Sequence, residues 1–154
     1  MTLCGMISLN QYMAELLLLA RIVPAVILSA ILGWQRQKMG KWAGIRTYAL
    51  VGGGSAVFTV LSVASFNSPD PARIASNIVT GIGFLGAGTI LHRADRVEGL
   101  TTAAGLWMVA AIGMAVGVEH YILAGGVTLL SLVIFMLDDK KIGTDKNGAK
   151  NEDD

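Results

Sequence analysis

Charge is scarce in this chain. Only 15% of its 154 residues are Asp, Glu, Lys or Arg, where a soluble globular protein carries about 25%. A surface of this composition cannot all face water, which excludes an ordinary soluble domain. The net charge of +1 leaves no basic footprint for nucleic acid. Cys4 is the only cysteine, so no intramolecular disulfide framework exists. Leu3-Cys4-Gly5 has the look of a lipoprotein cleavage box, but no apolar signal segment precedes it. The first apolar run lacks a basic n-region and continues too far for a cleaved secretory signal, so it is expected to be a retained anchor.

What the chain does have is apolar residues, at 53%, together with 19 glycines and a mean hydropathy of +0.59. Its length suits one domain. Its charges are segregated: long runs contain none, and residues 138–154 contain ten in 17 positions. A bilayer core about 30 Å thick needs roughly 20 apolar residues per helix. Five windows qualify, at residues 13–32, 47–65, 74–91, 100–118 and 121–137. The expected fold is therefore an all-α integral membrane protein, a compact bundle of about five transmembrane helices. An N-terminal segment (1–12) precedes the five-helix domain (13–137), and a charged tail (138–154) follows it as a solvated, partly disordered end.

The breaks between windows are marked by turn chemistry. Residues 67–71, Asn-Ser-Pro-Asp-Pro, form a turn in which Asp70 can cap the third helix, with Pro71 at its first position. Residues 92–96 separate the third and fourth spans, and residues 117–120 separate the fourth and fifth less sharply. Lys and Arg in the connections set the orientation. The first loop, the third loop and the tail hold ten of the twelve basic residues. This predicts the N-terminus outside and the C-terminus in the cytoplasm.

Residues 80–90 read T-G-I-G-F-L-G-A-G-T-I, with G-x-G-x-x-G at Gly81, Gly83 and Gly86. A dinucleotide fingerprint needs a preceding strand and a carboxylate about 20 residues on. The stretch before Gly81 reads as a capped helix start, and no carboxylate lies between Glu98 and Glu119. No nucleotide is expected. Wound at about 100° per residue, the segment has a small or polar side of Gly81, Gly88, Asn77, Thr80, Ala87, Ser76 and Gly83. Its opposite side is aliphatic, with Ile74, Leu85, Ile78 and Ile82. Phe84 interrupts the small side and Gly86 lies outside it. Small residues let membrane helices approach closely, so Gly81, Gly83, Ala87 and Gly88 are expected to pack against neighbouring helices. Gly113 and Gly117 are expected to do so on the fourth helix, and Gly52-Gly53-Gly54 on the second.

Polar residues inside apolar windows need partners. An arginine near a helix centre costs about 2.5–3.5 kcal/mol on insertion scales. Arg21 lies within the first window; Glu15, Asp70 and Glu119 are its candidate partners, and Asp70 is preferred. Arg73 and Asn77, four apart, share a helix face, and Asn77 is expected to hydrogen-bond between helices. Thr101 and Thr102 either bond back to their own helix or line a polar cavity. His92 and His120 lie in opposite loops without metal-ligand spacing, and the seven methionines form no stripe. No metal, cofactor or nucleophile–base pair is expected, so the chain does not read as an enzyme. A polar path around Arg21, Asp70, Arg73 and Asn77, serving a small ion or proton transporter or channel, is the alternative to a protein acting by contact.

Three ordered motifs carry a family resemblance. Gly40-Lys41-Trp42-Ala43-Gly44-Ile45-Arg46-Thr47 resembles the first-loop signature of the MgtC/SapB membrane protein family. Asp70-Pro71-Ala72-Arg73-Ile74 with residues 81–88 resembles a second block, and Gly99-Leu100-Thr101-Thr102-Ala103-Ala104 with Trp107 a third. The resemblance implies a bacterial inner-membrane protein linked to growth under magnesium limitation and, in pathogens, to virulence, without carrying magnesium itself. It also implies another membrane complex, such as the F-type ATP synthase, as a partner beside the lipid bilayer, while the density of glycine and alanine on the third and fourth helices points to a homodimer. The chain is similar to the short, SapB-like branch without a C-terminal soluble domain. With Arg21 and Asn77, the candidate functional polar residues are Arg36, Arg46, Thr47, Asp70, Arg73, Glu98, Thr101 and Thr102. Two positions depart from the family pattern: Gln35 stands where Glu is usual, and Glu98 where a basic residue is common.

Overall fold

The computed structural model describes residues 2–64, 70, 72–94 and 96–137. Five helices follow one another: α1 (Thr2–Lys38), α2 (Ile45–Ala64), α3 (Ala72–Ala87), α4 (Leu100–Gly117) and α5 (Tyr121–Met136). Three of them are long and apolar enough to cross a membrane, over Asn10–Lys38, Ile45–Ala64 and Leu100–Gly117. The other two have 16 residues each. The chain is an all-α membrane bundle, as its apolar windows predict. The turn expected at 67–71 falls outside the described residues except for Asp70, whose carbonyl accepts the Arg73 N–H at 3.3 Å. The tail lies wholly outside them.

Two boundaries differ from expectation. The first helix begins at Thr2 rather than near Met13, and Pro24 sits inside it without ending it, as neighbouring helices permit in a membrane segment. Between α3 and α4 stands a minimal hairpin, β1 (Leu91–His92) and β2 (Val97–Glu98), with Leu91 opposite Glu98 and His92 opposite Val97. The Arg93 N–H donates to the Arg96 carbonyl at 2.8 Å and closes its turn.

The core lies between α1, α2 and α4, with α5 closing one side. Tyr48, Leu32, Leu106, Ile112, Val109 and Val116 are its largest fully buried side chains. Glycines set how closely these helices pass. A Cβ at Gly33 would lie 2.7 Å from the Ile45 Cα and the Tyr48 Cβ. At Gly113 it would overlap the Gly52 carbonyl oxygen, and at Gly117 it would come within 2.6 Å of the Thr59 Cβ. Gly52 itself is pressed against the Ser29 side chain. Close backbone approach maximises dispersion contact where lipid supplies no hydrophobic drive. Thr59, Thr128 and Ser131 hydroxyls donate to carbonyls four residues back, at 2.7–2.8 Å, so these buried groups are satisfied locally.

The face of α3 is the reverse of the expected one. Ile78 and Ile82 are buried against Ala110 of α4, with Ile74, Val51 and Met114 beside them. Gly81 and Gly83 are exposed, with open space where a Cβ would stand. Ala87 is exposed too, and Gly88 meets only its own helix, at the Leu85 and Phe84 carbonyls. The glycine that packs is Gly86, where a Cβ would lie 3.5 Å from that of Ala103. The aliphatic stripe goes inward because α4 already supplies the small residues it needs.

Candidate functional site

At the end of the bundle carrying the α1–α2 loop and the hairpin lies a polar cavity of about 530 Å³. Four elements build it. The last turn of α1 supplies Arg36, the following loop supplies Lys41 and Trp42, the hairpin supplies Glu98, and the first turn of α4 supplies Thr101 and Thr102. The loop turns at Gly40, whose φ of +65° suits a residue without Cβ. Gly99 has φ +90° and stands at the N-cap of α4; a Cβ there would overlap the Thr89 carbonyl oxygen. Glycine at 99 thus allows the returning strand to pass against the exit of α3 and enter α4 within a few residues.

Arg36 is the central group. It is only 3% exposed, and its Nη2 donates to the Thr102 hydroxyl at 3.2 Å. The guanidinium carbon stands 4.7 Å from the centre of the Phe135 ring, a cation–π contact from α5. Its Nε has no hydrogen-bond partner. The Tyr48 hydroxyl lies close to the guanidinium, and Gln35 Oε1 is buried without a partner. Removing a guanidinium from water costs on the order of several kcal/mol, which cation–π and hydroxyl contacts repay only in part.

Glu98 does not offset that charge. Its Oε1 accepts from Arg96 Nε at 2.8 Å and sits 3.4 Å from Arg93 Nε. The Arg96 hydrogen bond, assisted by the charge of Arg93, holds its carboxyl below the usual value of 4.5. The carboxylate is matched twice within the hairpin, so Arg36 and Lys41 determine the sign of the cavity.

The candidate residues divide by location. Arg36, Glu98, Thr101 and Thr102 meet at the cavity, the threonines lining it rather than closing only on their own helix. Arg46 and Thr47 are exposed on the first turn of α2. Asn77 lines a separate, mainly apolar groove between α2 and α3, with Ser55, Phe58 and Gly81; contrary to expectation, it makes no interhelical hydrogen bond among the described residues. Arg73 and Asp70 are exposed. Arg21 pairs with Glu119 at 2.5 Å, not with the preferred Asp70. Glu119 follows α4, so Arg21, within the Asn10–Lys38 span, stands level with the end of that helix. None of the described cavities joins Arg21, Asp70, Arg73 and Asn77.

Sequence reasoning missed Tyr48 and Phe135, since an aromatic residue in an apolar window reads as packing. Lys41 and Trp42 carried a signal in the Gly40–Thr47 motif, but nothing in their spacing tied them to Arg36.

Comparison with known proteins agrees with the motifs. Residues 22–141 match the MgtC family. "Putative magnesium transporter YhiD" of Escherichia coli (strain K12) is 44% identical over 126 residues, covering 75% of this chain and 59% of that protein. "Protein MgtC" of Salmonella typhimurium (strain LT2) is 46% identical over 112 residues, covering 72% and 48%. "Uncharacterized protein slr0014" of Synechocystis is 44% identical over 99 residues, covering 64% and 42%. The chain spans about half the length of these relatives. No solved structure matches. With the family covering residues 22–141, including the helices and hairpin around Arg36, the chain belongs to the MgtC family.

Proposed function

We propose that this protein is a non-enzymatic regulator in the bacterial inner membrane, with its N-terminus outside and C-terminus inside. It serves adaptation to low magnesium, and virulence where the host is a pathogen, by contacting other membrane proteins rather than by carrying the ion. Magnesium enters through the name of one relative, described as a putative magnesium transporter, while the other is named only as MgtC. The observation that carries the regulatory reading is the sign of the cavity at Arg36. A magnesium ion is held by carboxylates and waters in octahedral geometry. Here the buried group is a guanidinium, and among the described residues the one carboxylate on the wall is already paired with Arg93 and Arg96. The tight glycine contacts between α2 and α4 also favour a packed bundle over a conduit.

Contact has two candidate forms. The exposed glycine face of α3 at Gly81 and Gly83 suits a second copy of the chain, and another membrane complex, such as the F-type ATP synthase, is the larger partner. The experiment pairs growth with flux. A strain lacking its own homologue should regain growth in limiting magnesium when given this chain, and purification in mild detergent should bring a membrane complex with it. Vesicles holding the protein should take up magnesium no faster than empty ones. Protein-dependent uptake would replace this reading with a transporter.

A further inference from the structure

We infer that the cavity at Arg36 is a seat for a phosphate-class oxyanion, supplied either as a lipid headgroup phosphate or as free phosphate. Arginine carries five N–H donors in a planar fork suited to such a group. In Arg36, Nη2 has the Thr102 hydroxyl and Nε is enclosed without an acceptor, so among the described residues no carboxylate matches the charge that this side chain brings to the cavity wall. Arg36 is only 3% exposed and lines the cavity, a position that in most proteins is matched by a carboxylate. Glu98 cannot serve, because it is committed to Arg93 and Arg96.

Three further features converge on the same space. Lys41 contributes a second cation to the wall. The 18-residue α4 begins there, and its Gly99 N-cap offers no side-chain hydrogen bond. The N–H groups of its first turn, with the positive end of the helix dipole, are therefore available to an anion. The hydroxyls of Thr101 and Thr102 line the cavity and can donate as well. At the mouth, Trp42 is 75% exposed, and tryptophan favours the headgroup level of a bilayer. A lipid phosphate would thus reach the cavity from the side and free phosphate from the water.

This inference concerns the ligand of the cavity and does not depend on the regulatory role, so it can fail while growth rescue stands. The test uses the full chain purified in mild detergent. One arm measures its unfolding temperature in inorganic phosphate against chloride at equal ionic strength. The other counts lipids retained in native mass spectrometry after exchange into phosphatidylglycerol or phosphatidylcholine. A saturable rise in the first arm identifies free phosphate, and selective retention of phosphatidylglycerol in the second identifies a headgroup. Arg36 is built into the core, so the diagnostic variant is Lys41→Gln on the wall. It should weaken the positive arm about tenfold, the loss of one charge-assisted contact. Lys38→Gln removes the same charge from a side chain stacked on Trp34 outside the cavity and should leave binding unchanged. No response in either arm, or equal loss from both variants, overturns the proposal.

Discussion

Replacing Gly113 with alanine should be among the most damaging single-methyl changes available in this bundle. The added Cβ would fall onto the Gly52 carbonyl oxygen and within 2.9 Å of the Ser55 Cβ. Neither neighbour is the movable end of a side chain, so α2 and α4 must part by on the order of 1 Å to restore ordinary contact. That displacement would also loosen Gly117 on Thr59, one turn along the same seam. Overpacking a filled interior costs about 1–3 kcal/mol, and the rigid obstruction places Gly113→Ala near 3. For a chain of this size about 1 kcal/mol corresponds to roughly 2–4 °C, so the unfolding temperature in mild detergent should fall by roughly 6–12 °C. Gly126→Ala, on α5 and away from the α3 face proposed for a second copy, is the matched control. It adds the same methyl where nothing lies within 4 Å, and alanine is the better helix former by about 0.8–1 kcal/mol. Its unfolding temperature should hold or rise. The reasoning fails if Gly113→Ala unfolds no earlier than the parent chain. If Gly126→Ala is equally damaging, the loss does not come from the α2–α4 seam.

Other outcomes follow from particular contacts. Glu119→Gln should cost no more than about 1 kcal/mol, because both partners of the Arg21 pair are substantially exposed. Arg21→Glu should be rescued in thermal unfolding by Glu119→Arg and not by Asp70→Arg. Gly99→Ala should cost more than Gly40→Ala: both have positive φ, worth about 1–2 kcal/mol, but only Gly99 adds an overlap with backbone. Thermal unfolding of the two variants gives the order. The Glu98 carboxyl should titrate below 4.5 by carbon-detected NMR, since its charged form is held first by Arg96. Because the folded value is depressed, its small contribution is complete above the unfolded value and is lost as pH falls through the folded one. Titration at or above 4.5 would contradict the hairpin pairing.

The apolar windows made the bundle legible, because lipid demands long runs and backbone self-satisfaction. They could not fix depth. Arg21 does lie inside the first span, Asn10–Lys38, but only its pairing with Glu119 shows that it stands level with the end of α4. The two faces of α3 were also legible, but not which one turns inward. Close packing needs small residues on only one of two partners; α4 provides Ala103 and Ala110, so Ile78 and Ile82 can fill the space. At the candidate site, Arg36, Glu98 and the two threonines stood out through the motifs. Tyr48 and Phe135 did not, because only the fold brings them beside a guanidinium.

The seam between α2 and α4 has a mechanical corollary. Two backbones in direct contact can neither slide nor rotate past each other without collision, so that pair behaves as a fixed spine. By contrast, α3 is seated through Ile78, Ile82 and Gly86 and is open on its other side. Its exit passes through Thr89 to Leu91, both on the cavity wall. A push on the outer side of α3 would therefore be transmitted to the Arg36 end of the molecule while the spine stays still.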